Sequence, residues 1–284
     1  MNNAFDNHAK TAWCPGCGNF GILDALKEAL EQLALSPRQV VLVSGIGQAA
    51  KIPHYLNSNV FNGLHGRSLP VAFAVKSVNP GLTVIAESGD GCMYGEGGNH
   101  LLHAIRRNPD ITVLVHDNQV YGLTKGQASP TSEDGFVTKT QPQGSLSKAF
   151  NPMSFAISQN TGFVARGFSG DKEGLIKILR EAILWKGLSL VDILQPCVTF
   201  NTVNTFGWYK KRVYTLDGHY DSTNRIGAFE KSLEWGERIP LGVIYRHEHP
   251  TFQDKIRDTF GVDNLVYQGR DSHLVLANEW SRFR

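Results

Sequence analysis

The sequence predicts an α/β fold: a parallel sheet with helices on both faces, plus a C-terminal extension. Two features predict it. Short, continuously apolar runs recur between amphipathic helical stretches, the pattern of strands buried on both faces by crossover helices. Three of those runs in turn end in glycine-rich or polar loops, where sheets of this kind bind ligands.

The elements follow in order. Residues 1–12 read as a flexible lead-in, and Trp13-Cys14-Pro15-Gly16-Cys17-Gly18 as a tight turn. A helix is predicted from about Phe20 to Leu35, because Ile22, Leu23, Leu26, Ala29 and Leu30 oppose Asp24, Lys27, Glu28 and Glu31 at helical spacing. Val40–Val43 reads as a buried strand ending in Gly45-Ile46-Gly47. A second strand, Leu82–Ala86, ends in Gly89-Asp90-Gly91, and a third, Ile111–Val115, in Asp117-Asn118. Helices are predicted over roughly Gly98–Arg107 and residues 171–186, and a further strand over Leu188–Leu194. The stretch from Tyr121 to about Lys148 is rich in Gly, Ser, Thr, Gln and Pro; it is long for a plain connection and reads as a functional loop. Beyond Thr199 the alternation weakens. The expected division is therefore a ligand-binding domain over 1–200 and an extension over 201–284 that wraps a partner or covers the core.

Composition narrows the function classes. The chain has 284 residues, with Lys+Arg 28 against Asp+Glu 26 and a net charge of +2. Nucleic-acid binding needs concentrated positive charge, so no nucleic acid is expected as a partner; the cluster Lys210, Lys211 and Arg212 reads as a solvated face. No apolar run approaches a membrane span, and the first ten residues lack a signal pattern. The expectation is a soluble, cytoplasmic protein without a membrane partner. There are 4 cysteines. A disulfide-stapled secreted domain is smaller and richer in cysteine, so Cys14-Pro15-Gly16-Cys17 reads as a metal or redox feature.

The strongest local signal is Gly89-Asp90-Gly91 at one strand end and Asn118 at the next. Glycines let backbone approach a diphosphate closely. Asp90 offers Mg²⁺ a charged oxygen and Asn118 a neutral one, and Mg²⁺ takes hard oxygen ligands from few side chains and completes its shell with phosphate and water. A helix starting near Glu96–Asn99 would turn its N-terminus to the anion.

This pairing resembles the thiamine-diphosphate motif. Together with Trp13–Gly18, Gly45-Ile46-Gly47, His65-Gly66-Arg67, Gly97-Gly98-Asn99-His100 and Tyr121-Gly122-Leu123-Thr124-Lys125-Gly126-Gln127, it is similar to the beta subunit of 2-oxoacid:ferredoxin oxidoreductases over about residues 10–200. The resemblance implies the thiamine-diphosphate-binding fold. It implies coenzyme A-dependent oxidative decarboxylation of a 2-oxoacid, of 2-oxoglutarate or pyruvate type, to acyl-CoA and CO₂, with electrons passing through a [4Fe–4S] cluster to ferredoxin. It implies Mg²⁺ ligation by Asp90, Asn118 and the Val120 carbonyl, with Gly47, His65, Gly89, Gly91, Gly122 and Leu123 against the cofactor. It places Lys125, Leu123 and His65 at the reacting end of the site, Lys125 as a cation for a substrate carboxylate. The activating Glu comes from an alpha (or fused gamma-alpha) subunit in this family, so the chain is expected to be active only in a heteromer with that partner.

The cysteines depart from the family pattern. Cys14, Cys17 and Cys197 match cluster ligands, but the third family position is Gln48 here, and a cysteine stands instead at Cys92, just after the GDG. Iron in these clusters prefers thiolate. The expected set is therefore Cys14, Cys17, Cys92 and Cys197; a three-cysteine cluster with Cys92 as a small buried thiol, and no cluster at all, are the rivals. The spacings of His54, His100, His103 and His116 fit no zinc signature. Two other readings compete. Gly45-Ile46-Gly47-Gln48-Ala49-Ala50 imitates a dinucleotide fingerprint, but no acid follows it before Ala86 to hold the ribose. A non-enzymatic, zinc-stabilised interaction scaffold would use the cysteines and leave Asp90 and Asn118 unexplained.

Overall fold

A computed structural model describes residues 3–261 and residue 281; the remainder of the 201–284 segment lies outside the described residues. Helix α1 (Asn19–Gln32) leads into strand β1 (Val40–Ser44), followed by edge strand β2 (Asn59–Asn62), α2 (Ser68–Val78), β3 (Thr83–Gly89) and α3 (Gly98–Arg107). Then come β4 (Thr112–Asp117), the short pair β5 (Val120–Tyr121) and β6 (Gln127–Ala128), α4 (Pro152–Ser158), β7 (Phe163–Phe168), α5 (Lys172–Leu184) and β8 (Ser189–Leu194). The last described elements are α6 (Phe206–Lys210), β9 (Val213–Thr215), α7 (Arg225–Ser232), β10 (Ile239–Arg246) and α8 (Phe252–Phe260).

Eight strands form one sheet in the order β2-β1-β3-β4-β8-β7-β10-β9. All neighbours run parallel except β10 against β7. Strand residues alternate between two cores. Val40, Leu42, Ile85 and Leu114 pack with α1 and α5 on one face. Val41, Val43, Val84, Val113 and Val115 pack with α2, α3, α4 and α7 on the other. Burying both faces is what makes these strands read as unbroken apolar runs.

Residues after 200 continue this sheet. β10 adds to β7, and β9 adds to β10. A third cluster, Phe168, Leu194, Tyr209, Ile239 and Leu241, joins the two regions at the carboxyl ends of β7 and β8. Among the described residues no helix is long and apolar enough to cross a membrane.

Candidate functional site: a cofactor cradle beside a cysteine recess

Two neighbouring strand ends build the cradle. β3 and β4 are adjacent, with Gly89 beside His116, so Asp90 and Asp117 leave the sheet next to one another. Past Asp90 the chain winds through a wide π-type turn, Gly91–Glu96, in which Gly97 N–H donates to the Cys92 carbonyl at 2.9 Å. Past Asp117 it reverses through Gln119, held at φ 57°. There Asp117 Oδ1 accepts from Gln119 N–H at 3.3 Å, and Asn118 Oδ1 from Val120 N–H at 3.0 Å. The β5–β6 hairpin then lays Tyr121 on Gly91: a Cβ at Gly91 would stand 2.2 Å from the Tyr121 ring, so only glycine fits the third position of the GDG.

The loop after β6 returns hydroxyls to the carboxylates. Ser129 Oγ donates to Asp90 Oδ2 at 2.5 Å. Thr131 Oγ1 lies 2.6 Å from Asp90 Oδ2 and 2.7 Å from Asp117 Oδ1. A threonine hydroxyl has one proton. It donates to one carboxylate, and the other contact is closed by a proton on the second carboxyl group. Asp117 is the acid that holds it: burial, with the charges of Asp192 and Asp90, pushes its carboxyl well above the usual range. Burial raises Asp90 to about 6, against the pull of Ser129 and Thr131. Asp192 is raised as well, first by burial; it accepts from Tyr94 Oη at 2.8 Å. The cation seated among these three buried carboxylates is Arg166, with Nε 3.6 Å from Asp192. One arginine leaves the group short of positive charge, and a divalent cation at Asp90 fits that deficit.

The other expected residues gather around this point. The Gly66 turn, at φ 73°, presses on the start of α3, where a Cβ would meet the Glu96 and Gly97 backbone at 2.6–2.7 Å. It sets His65 Nδ1 2.9 Å from Glu96 and its ring 6.2 Å from Tyr121. Gly47, at φ 130°, has open space where a side chain would be. Leu123 and Lys125 sit at the exposed hairpin tip, Lys125 at φ 78°. Arg67 pairs with His100 at 2.8 Å. His116 is buried between Asn19, 2.8 Å from Nδ1, and Glu87, 3.5 Å from Nε2. Burial lowers His116 to about 3 and pushes Glu87 up, and no hydrogen bond joins the two.

A second feature adjoins the cradle. Cys14, Cys17, Cys197 and Gln48 line one recess, together with Asn118 and Gly122. It encloses about 40 Å³, with exposed Cys14 at its rim. Burial pushes the Cys17 thiol up to about 11, with Cys197 and Cys14 adding to it. Gln195 links the two features: Oε1 accepts from Asn118 Nδ2 at 3.0 Å, and Nε2 reaches Cys17 Sγ at 3.5 Å.

Cys92 is not among the residues lining the recess. Its thiol is buried under the loop after β1, accepting from Gly66 N–H at 3.1 Å and Ile46 N–H at 3.5 Å. A Cβ at Gly45 would stand 2.4 Å from its sulfur; the glycine makes room for it there. Among the described residues no three His, Cys, Asp or Glu converge on a single ion. Three thiols spread around a recess suit a polynuclear cluster, whose irons each take one thiolate, better than one tetrahedral zinc. A Mg²⁺ site with one carboxylate, one amide and a backbone carbonyl needs no such convergence. Ser129, Thr131, Asp117 and Gln195 were not read from the sequence; the hydroxyl-rich run Ser129–Ser132 after the hairpin was the signal.

Comparison with known proteins agrees with this layout. Residues 38–193 match the thiamine pyrophosphate enzyme C-terminal TPP-binding domain, and residues 197–259 the C-terminal region of the pyruvate ferredoxin oxidoreductase beta subunit. The chain is 45% identical to the 2-oxoacid:ferredoxin oxidoreductase beta subunit of a Sulfolobus species, over 86% of this chain and 85% of that one. The chain belongs to the 2-oxoacid:ferredoxin oxidoreductase beta-subunit family. It is 40% identical to the 2-oxoglutarate oxidoreductase subunit KorB of Mycobacterium tuberculosis, over 84% of this chain and 61% of that one. Among solved structures, a 2-oxoglutarate:ferredoxin oxidoreductase from Magnetococcus marinus, with 2-oxoglutarate, coenzyme A and succinyl-CoA bound, superposes with TM-score 0.89 at 32% identity. That match covers 96% of this chain and 94% of the other. The mostly parallel sheet with helices on both faces expected from the sequence is thus shared with the family, and this beta subunit is an oxidoreductase component.

Proposed function

We propose that this beta subunit, with an alpha or fused gamma-alpha partner in the cytoplasm, catalyses coenzyme A-dependent oxidative decarboxylation of a 2-oxoacid, of 2-oxoglutarate or pyruvate type. The products are acyl-CoA and CO₂, and ferredoxin takes the electrons. The observation that carries the reading is the Asp90–Thr131–Asp117 network at paired strand ends, a buried anionic site short of one divalent cation.

Bound thiamine diphosphate would supply a nucleophilic carbon for the 2-oxo carbonyl and a sink for the electron pair left when CO₂ departs, and a [4Fe–4S] cluster would supply one-electron acceptance. This chain's residues bind and orient. Asp90 and Asn118, with the Val120 carbonyl, hold Mg²⁺ against the diphosphate. Ser129 and Thr131 fix the Asp90 carboxylate by donating to one oxygen, leaving the other to face the ion. Gly47, Gly89 and Gly122 keep the backbone clear for the cofactor, and Gly91 gives Tyr121 room to close over the turn. Tyr121 and His65 wall the site beside Glu96, and Leu123 and Lys125 extend from the hairpin toward substrate. Lys125 gives a dicarboxylic 2-oxoacid a counter-charge. Cys14, Cys17 and Cys197, around the recess that Asn118 and Gly122 also line, would hold the cluster.

The test is co-expression with the alpha partner and an assay of ferredoxin reduction with several 2-oxoacids, with and without coenzyme A. Reduction that needs both a 2-oxoacid and coenzyme A supports the reading. Ferredoxin left oxidised by a complex fully loaded with thiamine diphosphate and Mg²⁺ refutes it.

A further inference from the structure

The cysteine recess has three thiols and four side-chain amides, Asn19, Gln48, Asn118 and Gln195; the amide oxygens of Asn19, Asn118 and Gln195 have partners. The CPGC turn brings Cys14 and Cys17, the segment after β8 brings Cys197, and the loop after β1 brings Gln48. The Gln48 backbone is pinned, its carbonyl accepting from Trp13 Nε1 at 2.8 Å. Its side-chain carbonyl is left over: Oε1 is shielded from solvent and has no hydrogen-bond partner. Orphaned buried acceptors are costly, so they are kept where something else satisfies them. Gln48 Cγ and Cys197 Sγ stand at the same 4.0 Å from a Cβ placed on Gly122, so the amide and the thiol flank one point of the hairpin. The remaining thiol, Cys92, is engaged elsewhere by Gly66 and Ile46.

We infer that the cluster is held by three thiolates, Cys14, Cys17 and Cys197, and that Gln48 Oε1 faces its fourth iron. The inference rests on the cluster reading given under Proposed function and adds which iron is labile. A neutral amide oxygen is a far weaker ligand for iron than a thiolate in such clusters. The fourth iron therefore leaves on mild oxidation: [4Fe–4S]²⁺ gives [3Fe–4S]⁺, Fe²⁺ and one electron, the electron passing to a one-electron oxidant such as ferricyanide. Added Fe²⁺ with a reductant reverses the step. The subunit thus carries an iron- and oxidant-sensitive switch at its electron exit, with three irons and three thiolates keeping the cluster body in place.

The experiment uses the complex of this chain with its alpha partner, purified without oxygen and treated with ferricyanide at one equivalent per cluster. Electron paramagnetic resonance reads the [3Fe–4S]⁺ spin, and a ferrous chelator reads released iron. The expected result is a three-iron signal with one Fe²⁺ freed per cluster, both reversed by Fe²⁺ and dithionite. Gln48→Cys should keep all its iron under the same dose, and Gln48→Ala should behave like the parent or lose iron faster. Retention of all iron by the parent protein at that dose overturns the inference while leaving the cluster reading intact. Loss of the cluster in Cys92→Ser, with Gln48→Ala unaffected, overturns it in favour of Cys92. A complex that binds thiamine diphosphate but contains no iron overturns both.

Discussion

Asp90→Asn separates what the buried carboxylate does for the cofactor from what it costs the fold. Asp90 is 2% exposed, and burial raises its carboxyl to about 6. The unfolded value is 3.8, so the folded form binds the proton more tightly. For a raised carboxyl, stability is greatest below the unfolded value and falls as pH rises toward the folded one. The gap of about 2 pH units is worth about 3 kcal/mol at neutral pH. An amide of the same shape carries no charge and can accept from Ser129 and Thr131, so the cofactor-free variant should be about 1–3 kcal/mol more stable at pH 7. That is a rise of several degrees in Tm for a chain of this size. The advantage should vanish near pH 4. With Mg²⁺ and thiamine diphosphate at about 100 times Kd, the parent gains about 2.7 kcal/mol; the variant should gain nothing. Thermal unfolding of the purified complex, with and without cofactor, at pH 4 to 8, reads all of this. Cofactor affinity of the parent should also weaken as pH falls below about 6. An unchanged cofactor-induced shift in Asp90→Asn would refute the reasoning, and so would a cofactor-free variant less stable than the parent at pH 7.

Three further changes probe the surroundings. Glu87→Gln removes a buried carboxyl whose folded value lies well above 4.5; its stabilising effect should grow by about 1.4 kcal/mol per pH unit above 4.5 until the folded carboxyl ionises, and denaturant titrations at two pH values give that slope. Gln195→Leu deletes the link from Asn118 to Cys17; thiamine diphosphate affinity should fall about fivefold, the loss of roughly 1 kcal/mol of hydrogen bond, and the cluster potential should drop as a sulfur loses a donor, which equilibrium dialysis and redox titration measure separately. Lys125→Gly relieves a left-handed backbone while removing a charge; the ratio of kcat/KM for 2-oxoglutarate over pyruvate should fall about tenfold or more, and a ratio equal to the parent's removes Lys125 from substrate selection.

The sequence was legible where burial is symmetric. β1, β3, β4 and β8 are covered on both faces, so each reads as an apolar run, and α1, α3 and α5 are amphipathic and read within a few residues. β2 was invisible because all four of its residues are exposed. β7 hid behind Arg166, a charge that β7 tolerates by facing Asp192. β10 hid behind Pro240 and Gly242, and its place between β7 and β9 comes from the tertiary fold rather than from any local pattern. Asp90 and Asn118 could be read because glycine spacing marks a backbone device. Ser129 and Thr131 could not, since hydroxyls in a polar loop look alike until a hairpin folds them onto a carboxylate. Positions 48 and 92 both follow adjacent strands, but only the structure separates their surroundings: the sulfur at 92 lies under the loop after β1, and Gln48 lines the recess.

The segment beyond 200 buries the charged groups beside the cradle. Asn201 Nδ2 donates to the Asn118 carbonyl at 3.1 Å and to Asn204 Oδ1 at 3.1 Å, tying the turn after β8 to the turn after β4. Trp235 covers Arg166, whose guanidinium lies 5.5 Å from its ring, and donates to Glu133 in the loop beyond Thr131 at 2.9 Å. Tyr209 and Phe206 pack on Phe168 at the end of β7. Asp117, Asp192 and Arg166 are thereby left only 1–3% exposed, around a cavity of about 210 Å³ that Thr131 and Trp235 also line, and low local polarity is what makes a missing counter-charge expensive. The same burial would strengthen the pull of the site on a divalent cation. Residues 201–260 thus act on the buried carboxylates electrostatically, by lowering the polarity of what surrounds them.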